Sequence, residues 1–199
     1  MNLNKQTIEV LKNFATINQG IIFKEGNVIR TMSVMRNIVA RAVVKDVIPQ
    51  EFAIYDLPEF LSCMSLFDNP SVDFKERMVE LCSGNNTVKY FYSSPNVVIA
   101  PPDKEMRMKG ADLSFTITEA ELLQLQKAAA VMKLKDLSIT KAGVSVLNTD
   151  ADGNRFDIAL VVNTELEDPK IVIKVDDLKI IPADYEVNVA TAGMIQFVS

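Results

Sequence analysis

The sequence predicts an α+β fold made of two copies of one unit, and three observations predict it. An order of elements recurs: a helix-like stretch (5–17 and 118–132), two short apolar runs around a glycine-bearing turn, and a further apolar run (38–44 and 156–162). In both copies a strand-like run then leads into Asp-Leu, at Asp56-Leu57 and Asp177-Leu178. Between the copies lies a charged segment with two adjacent prolines, Pro101 and Pro102. A unit of roughly 100 residues stated twice indicates duplication, and copies of that size bury only a modest core alone. The expected domains are residues 1–99, a connector at 100–111, and residues 112–199.

The first helix is expected over Lys5–Ile17, with Thr7, Ile8, Leu11, Phe14 and Ala15 on one face and Lys5, Gln6, Glu9, Lys12, Asn13 and Thr16 opposite. Asn18-Gln19-Gly20 is expected to end it in left-handed cap geometry. Apolar runs on either side of Lys24-Glu25-Gly26-Asn27, then 38–44 and Phe52-Ala53-Ile54-Tyr55, read as strands. A second helix is expected over 57–67, capped by Asp56, opened by Pro58, with Phe60, Leu61, Met64 and Phe67 inward. In the second copy Thr118-Glu119-Ala120-Glu121 has the spacing of a capping box, and Leu122, Leu125, Ala129 and Met132 form the core stripe. Gln124 and Lys127 lie opposite that stripe. The counterpart of the second helix is a brief one over 176–181, stopped by Pro182. Residues 88–92, 185–190 and 194–198 are the remaining strands, with hairpins at Ser83-Gly84-Asn85-Asn86 and Asp152-Gly153-Asn154.

Both long helices turn polar faces that include lysine away from their own cores. A solvated face is the ordinary reading of one such helix; recurrence in both copies raises the alternative of a ligand-facing surface. In the connector, Met106 and Met108 alternate with Arg107 and Lys109, so an extended chain sends both methionines the same way. They either anchor the connector or edge an adaptable apolar groove, and the sequence leaves both readings open.

Composition narrows the chemistry. The chain has 199 residues, no histidine and a formal charge of −5. Residues 1–99 carry ten basic and ten acidic side chains, and residues 100–199 carry eleven and sixteen. Without histidine, the commonest general base, zinc ligand and partner of a Ser or Cys nucleophile are all missing. Asn148-Thr149-Asp150-Ala151-Asp152-Gly153 imitates the start of a calcium loop, but its twelfth position is Ala159 where a bidentate Glu belongs. No phosphate-binding glycine loop or nucleophile elbow occurs. Acidic pairs such as Asp176-Asp177 read as helix caps. Cys63 and Cys82 are too few for a disulfide framework, so a reducing intracellular setting is expected. No apolar run approaches the ~20 residues of a membrane span, and Met1-Asn2-Leu3-Asn4-Lys5 lacks a signal-peptide core, so no membrane partner is expected.

Specific stretches then reach a family. Leu11-Lys12-Asn13-Phe14-Ala15-Thr16-Ile17-Asn18 followed by Gly20-Ile21, then Asp46-Val47-Ile48 and Ala53-Ile54-Tyr55-Asp56-Leu57 with Phe60-Leu61, resemble the sliding clamps of T-even-type bacteriophages. The second half matches by order of elements, with local support at Pro182 and Tyr185. The resemblance implies the DNA clamp fold: two domains per chain, three chains in a closed ring, helices lining a channel and antiparallel sheets outside. It implies a DNA polymerase processivity factor that encircles duplex DNA without sequence preference, tethers the polymerase, is opened by an ATP-driven clamp loader, and also serves late-transcription factors. It places the protein in the cytoplasm of an infected bacterial host and implies no cofactor, metal or catalytic residue.

Within that expectation Lys5, Lys12, Lys127, Lys133, Lys135 and Lys179 are the candidates for meeting phosphates. Phosphate contacts carry no sequence information and permit sliding. Ile99, Met106, Met108 and Phe197 are the candidates for a groove accepting short C-terminal peptides from the polymerase. Terminal strands are expected to pair between neighbouring chains. The competing expectation is a ring-forming structural or adaptor protein that binds partner proteins but no nucleic acid, favoured by the sparse channel lysines. An enzyme using paired carboxylates ranks third.

Overall fold

Helix α1 (Lys5–Ile17) forms over the expected span, capped by Asn4, whose side chain accepts from the Gln6 amide at 3.0 Å. Its buried residues are Thr7, Val10, Leu11, Phe14 and Ile17, so the stripe is rotated slightly from the expected one and leaves Ile8 and Ala15 half-buried at its margin. The computed structural model describes residues 1–104 and 108–199 and divides into two units, Met1–Lys104 and Glu105–Ser199.

In the first unit β1 (Ile21–Phe23), β2 (Gly26–Met32), β3 (Val39–Ile48) and β4 (Phe52–Ile54) follow α1. β1 pairs with β4 and β2 with β3, all antiparallel. Helix α2 (Leu57–Met64) starts where expected, with the Asp56 side chain accepting from the Glu59 amide at 2.8 Å and Pro58 in the first turn. It ends before the expected Phe67. The Ser62 hydroxyl donates back to the Pro58 carbonyl, and the chain tightens into i→i+3 bonds such as Leu66 to Cys63 at 3.3 Å. The sheet β5 (Ser71–Phe74), β6 (Met78–Ser83) and β7 (Asn86–Phe91) completes the unit. The β6–β7 hairpin turns on Gly84 at φ +56°, as expected from Ser83-Gly84-Asn85-Asn86. Phe52 stacks between Phe23 and Tyr92, with ring centroids 4.7 and 4.5 Å away.

The second unit repeats this plan. β8 (Leu113–Ile117) precedes α3 (Glu119–Met132), whose capping box is complete: the Glu121 amide donates to the Thr118 hydroxyl and the Thr118 amide to the Glu121 carboxylate. β9 (Asp136–Thr140), β10 (Gly143–Leu147), β11 (Phe156–Ala159), β12 (Asn163–Thr164), β13 (Lys170–Lys174), β14 (Tyr185–Ala190) and β15 (Met194–Val198) follow. They form two antiparallel sheets ordered β11-β10-β9-β13 and β12-β8-β14-β15. β9–β13 matches β1–β4, and β10–β11 matches β2–β3. The isolated bridge Asn2–Ser71 stands where β8–β14 forms a ladder. Gly143 sits at φ +134°, and a Cβ there would lie 2.1 Å from the Ile158 carbonyl, so the β9–β10 turn requires glycine.

Two further expectations are corrected. Asn18 caps α1 in extended geometry (φ −146°, ψ 136°); among the described non-glycine residues near a helix end, the left-handed cap is Lys133 at φ 55° after α3. The helix expected over 176–181 is a single 3-10 turn, Val175–Asp177, because Pro182 leaves too few residues to nucleate more. The loop at Asp152-Gly153-Asn154 does join a hairpin, but a wide one, with Val146 opposite Phe156.

That wide loop is held by a buried carboxylate. Asp136, 3% exposed, accepts from the Thr149 amide at 3.0 Å, the Thr149 hydroxyl at 2.7 Å and the Lys174 ammonium. The Lys174 bond first, and the Thr149 donors after it, push the carboxyl down to about 2. Because the folded value lies below the ordinary ~3.9, its contribution to stability is full above about pH 4 and falls away as pH drops towards 2. Asp136→Ala leaves three donors without this acceptor and is expected to cost the second unit about 2 kcal/mol. It should also flatten that unit's acid transition between about pH 4 and 2. Calorimetric scans across pH check both.

Candidate nucleic-acid interface and partner pocket

Packing decides which side chains each helix presents. With Val10, Leu11, Phe14 and Ile17 buried, α1 exposes Lys5, Gln6, Glu9, Lys12 and Thr16. Lys5 and Lys12 are two turns apart on one face, about 10 Å along the axis, with Glu9 between them. With Leu122, Leu125 and Ala129 buried, α3 exposes Ala120, Leu123, Gln124, Lys127, Ala130 and Val131. Glu119, at the start of the helix, is exposed on this face too, so it carries one lysine and one glutamate among small, apolar and amide side chains. Lys133 and Lys135 follow at the end of α3, both exposed. The backbone at Lys135 is committed to the fold: its amide donates to Asn148 Oδ1 at 3.0 Å and its carbonyl accepts from the Val175 amide at 2.8 Å. Lys179 is half-buried and lies just past the 3-10 turn. The six lysines thus fall into a pair on α1, a set of three on and beyond α3, and Lys179 by itself.

The peptide-groove candidates belong to different units. Ile99 lines a cavity of about 170 Å³ within the first unit, together with Asn18, Gln19, Gly20, Val34, Tyr55, Val97 and Val98. Phe197, on β15 in the second unit, packs against that unit's core and meets Tyr185 edge to face at 5.9 Å. Met108 is half-buried and is not among the cavity residues. Met106 lies outside the described residues.

Of the eight cavity residues, the sequence marks Ile99 alone as a groove candidate. The signal for the others is local: Val97-Val98-Ile99 is an apolar run just before the connector prolines, and Tyr55 interrupts a buried run immediately before a helix cap. Val34, Tyr55 and Val97 are 63%, 58% and 57% exposed, so the cavity rim is apolar and open to solvent. The chain beside the cavity is firmly tied. The Leu57 amide donates to the Gln19 carbonyl at 2.7 Å, and the Gln19 side chain donates to Asp56 at 2.7 Å. The Tyr90 hydroxyl donates to the Asp56 carbonyl and to Glu59; burial first, and that Glu59 bond next, raise its pKa well above the usual phenol range.

Sheet edges are also open. β7 pairs on one side only, with β6, and ends in Phe91, 65% exposed. β11 is the edge of its sheet, and Val161 just beyond it is 84% exposed. Among the described residues no group of three or more Cys, Asp or Glu is placed to hold a metal ion, and no helix is long and apolar enough to cross a membrane.

Comparison with known proteins adds to this geometry. The family model described as DNA polymerase processivity factor matches residues 4–94. The sliding clamp of Vibrio phage KVP40 is 36% identical over 210 aligned residues, covering 99% of this chain and 94% of that protein. The sliding clamp of Escherichia phage RB69 is 29% identical, covering 97% of this chain and 89% of its own. Among solved structures, PCNA from Thermococcus kodakaraensis superposes with a TM-score of 0.60 at 14% identity, over 92% of this chain and 85% of that one. Proliferating cellular nuclear antigen from Entamoeba histolytica does so with a TM-score of 0.63 at 12% identity, over 92% and 85%. At such low identity the last two likenesses speak for the fold alone, which is the DNA clamp fold. The full-length match to the phage relatives speaks for the family: this chain belongs to the sliding clamps of T-even-type bacteriophages, the DNA polymerase processivity factors.

Proposed function

We propose that three copies of the chain close into a ring around duplex DNA and that enclosure, with only weak attraction, keeps the ring in place. The observation that carries this is the matched pair of helices, α1 and α3, one per unit, each turning a sparsely lysine-bearing face to solvent in a chain of net charge −5. Lys5, Lys12 and Lys127 are the principal phosphate contacts, with Lys133, Lys135 and Lys179 at the margins. The ring is opened by an ATP-driven loader in the cytoplasm of an infected bacterium. The polymerase is held through the first-unit cavity beside Ile99, and late-transcription factors use the same docking point.

Ring closure is supported by the open edges. A cyclic trimer of two-unit chains has six related units, and edge pairing between copies covers strands that are otherwise unpaired on one side. Light scattering across a concentration series should give the trimer mass. Phe91→Asp on the β7 edge should shift it to monomer with unchanged circular dichroism. A wild-type chain that stays monomeric at high concentration overturns the ring.

Enclosure has a direct test. Loaded clamps should persist on closed circular DNA and leave when the circle is cut. Equal retention after linearisation with open ends would mean that attraction holds the protein. Lys5→Ala, Lys12→Ala and Lys127→Ala combined should reduce loading, and each phosphate no longer neutralised should lower the salt slope of residual duplex binding by about 0.9.

The cavity makes its own prediction. Val34→Asp or Tyr55→Ala should weaken polymerase association by about tenfold, the scale of one missing apolar anchor, while trimer mass and DNA retention stay as in wild type. Polymerase pull-down and primer-extension length report it.

A further inference from the structure

One side chain holds the cavity walls together. Asn18 is 7% exposed, and its amide nitrogen donates to the Met32 carbonyl at 2.8 Å and to the Ile99 carbonyl at 2.9 Å. Its side-chain oxygen accepts from the Gly20 amide at 3.0 Å. Met32 ends β2 just before the Val34 rim, Ile99 closes the Val97–Ile99 rim, and Gly20 lies in the floor between them. The arrangement is tight, because a Cβ at Gly20 would lie 3.1 Å from the Val98 side chain and 3.3 Å from the Tyr55 carbonyl.

The second unit shows what the fold alone requires at this place. There the loop after α3 is tied to the end of β10 by the bond from the Lys135 amide to Asn148 Oδ1 at 3.0 Å. The equivalent tie in the first unit is Asn18 to Met32. The Val175 amide then meets the Lys135 carbonyl, just as the Leu57 amide meets the Gln19 carbonyl in the first unit. The bond from Asn18 to Ile99, at the entrance to the connector, comes in addition to these two shared ties.

We infer that Asn18 is the positioning residue of the partner pocket: it sets the spacing between the Val34 and Val97–Ile99 walls so that an apolar anchor side chain of a partner peptide fits between them. This rests on the cavity being the docking point proposed above. An Asn is suited to the task because it presents two N–H donors and an acceptor from one planar group, which matches two carbonyls and one amide. A serine or threonine has one donor, and an aspartate has none when ionised.

The test measures anisotropy of a fluorescein-labelled peptide, the last ~10 residues of the same phage's polymerase, on wild-type trimer and on variants well below their melting temperatures. Asn18→Ala should weaken the peptide by about tenfold, the worth of one to two hydrogen bonds, with trimer mass and retention on circular DNA unchanged. If Asn18→Ala does not fold, Asn18→Asp serves. It keeps the shape and the bond from Gly20 but faces two carbonyls with a carboxylate, so it should bind weakly at neutral pH. Burial raises its pKa, and protonation restores one donor, so affinity should recover as pH falls. Asp56 is the carboxylate bordering the loop, and wild type measured over the same range subtracts whatever else in the protein responds to pH. Unchanged affinity in Asn18→Ala, or Asn18→Asp with a flat pH profile, while Tyr55→Ala still weakens the peptide, overturns the positioning role and leaves the pocket standing. Wild-type affinity in all these variants and in Val34→Asp overturns the pocket reading as well.

Discussion

Everything else in the molecule depends on each long helix burying one face against its own sheets. In the first unit Val10, Leu11, Phe14 and Ile17 disappear from water, and in the second Leu122, Leu125 and Ala129 do. Full burial of a leucine- or phenylalanine-sized side chain is worth about 1.5–3 kcal/mol, so a handful of such residues outweighs what any surface lysine contributes. The direction of Lys5, Lys12 and Lys127 is therefore set by their buried neighbours on the same helix. The proposed interface follows from core packing, so a thinly charged face is still held in a fixed direction.

The two units solve one mechanical problem in different ways. In each, the loop after the long helix must be tied to the strand that ends beside it and to the chain leaving the β4 or β13 position. The second tie is alike in both: Leu57 donates to Gln19 at 2.7 Å, and Val175 donates to Lys135 at 2.8 Å. The first is reversed, with Asn18 reaching from the loop in one unit and Asn148 reaching back from the strand in the other. Duplication thus preserves the bond and not the residue. The reversal leaves one donor of Asn18 for Ile99, a bond made beyond the two ties that the units share. The second unit places its polar anchoring on Asp136, Thr149 and Lys174 instead.

Local chemistry makes much of this legible from the sequence. The bounds of α1, the capping box of α3, the Asp56-Pro58 helix start and the Ser83-Gly84-Asn85-Asn86 hairpin each rest on a few adjacent residues with strong conformational preferences, and the structure has them where the residues place them. The features that differ from expectation depend on distant partners. Asn18 next to Gly20 looks like a left-handed cap until Met32 and Ile99, 14 and 81 positions away, offer its amide better partners in extended geometry. Lys133 adopts the left-handed cap although its type disfavours it, because the Leu134 amide reaches Ala129 there. As a groove the cavity is legible only at Ile99, since its walls come from four separate segments with no shared motif.

Charge explains why such a surface suits a clamp better than a strongly basic one. Affinity for duplex DNA rises with the number of phosphates neutralised, and so does the cost of moving from one set of phosphates to the next. A face like that of α3, with Lys127 and Glu119 amid Ala120, Gln124 and Ala130, offers a phosphate little to hold at any single register. Salt at physiological strength screens exposed charges beyond about 8 Å, so acidic residues on other faces do little to repel the duplex while they keep the protein soluble. With few contacts to break, displacement along the duplex axis is nearly free, and in the ring proposed above departure is governed by topological closure. The sparse lysines that argue against an ordinary DNA-binding surface are thus what a surface needs when its task is to let DNA pass.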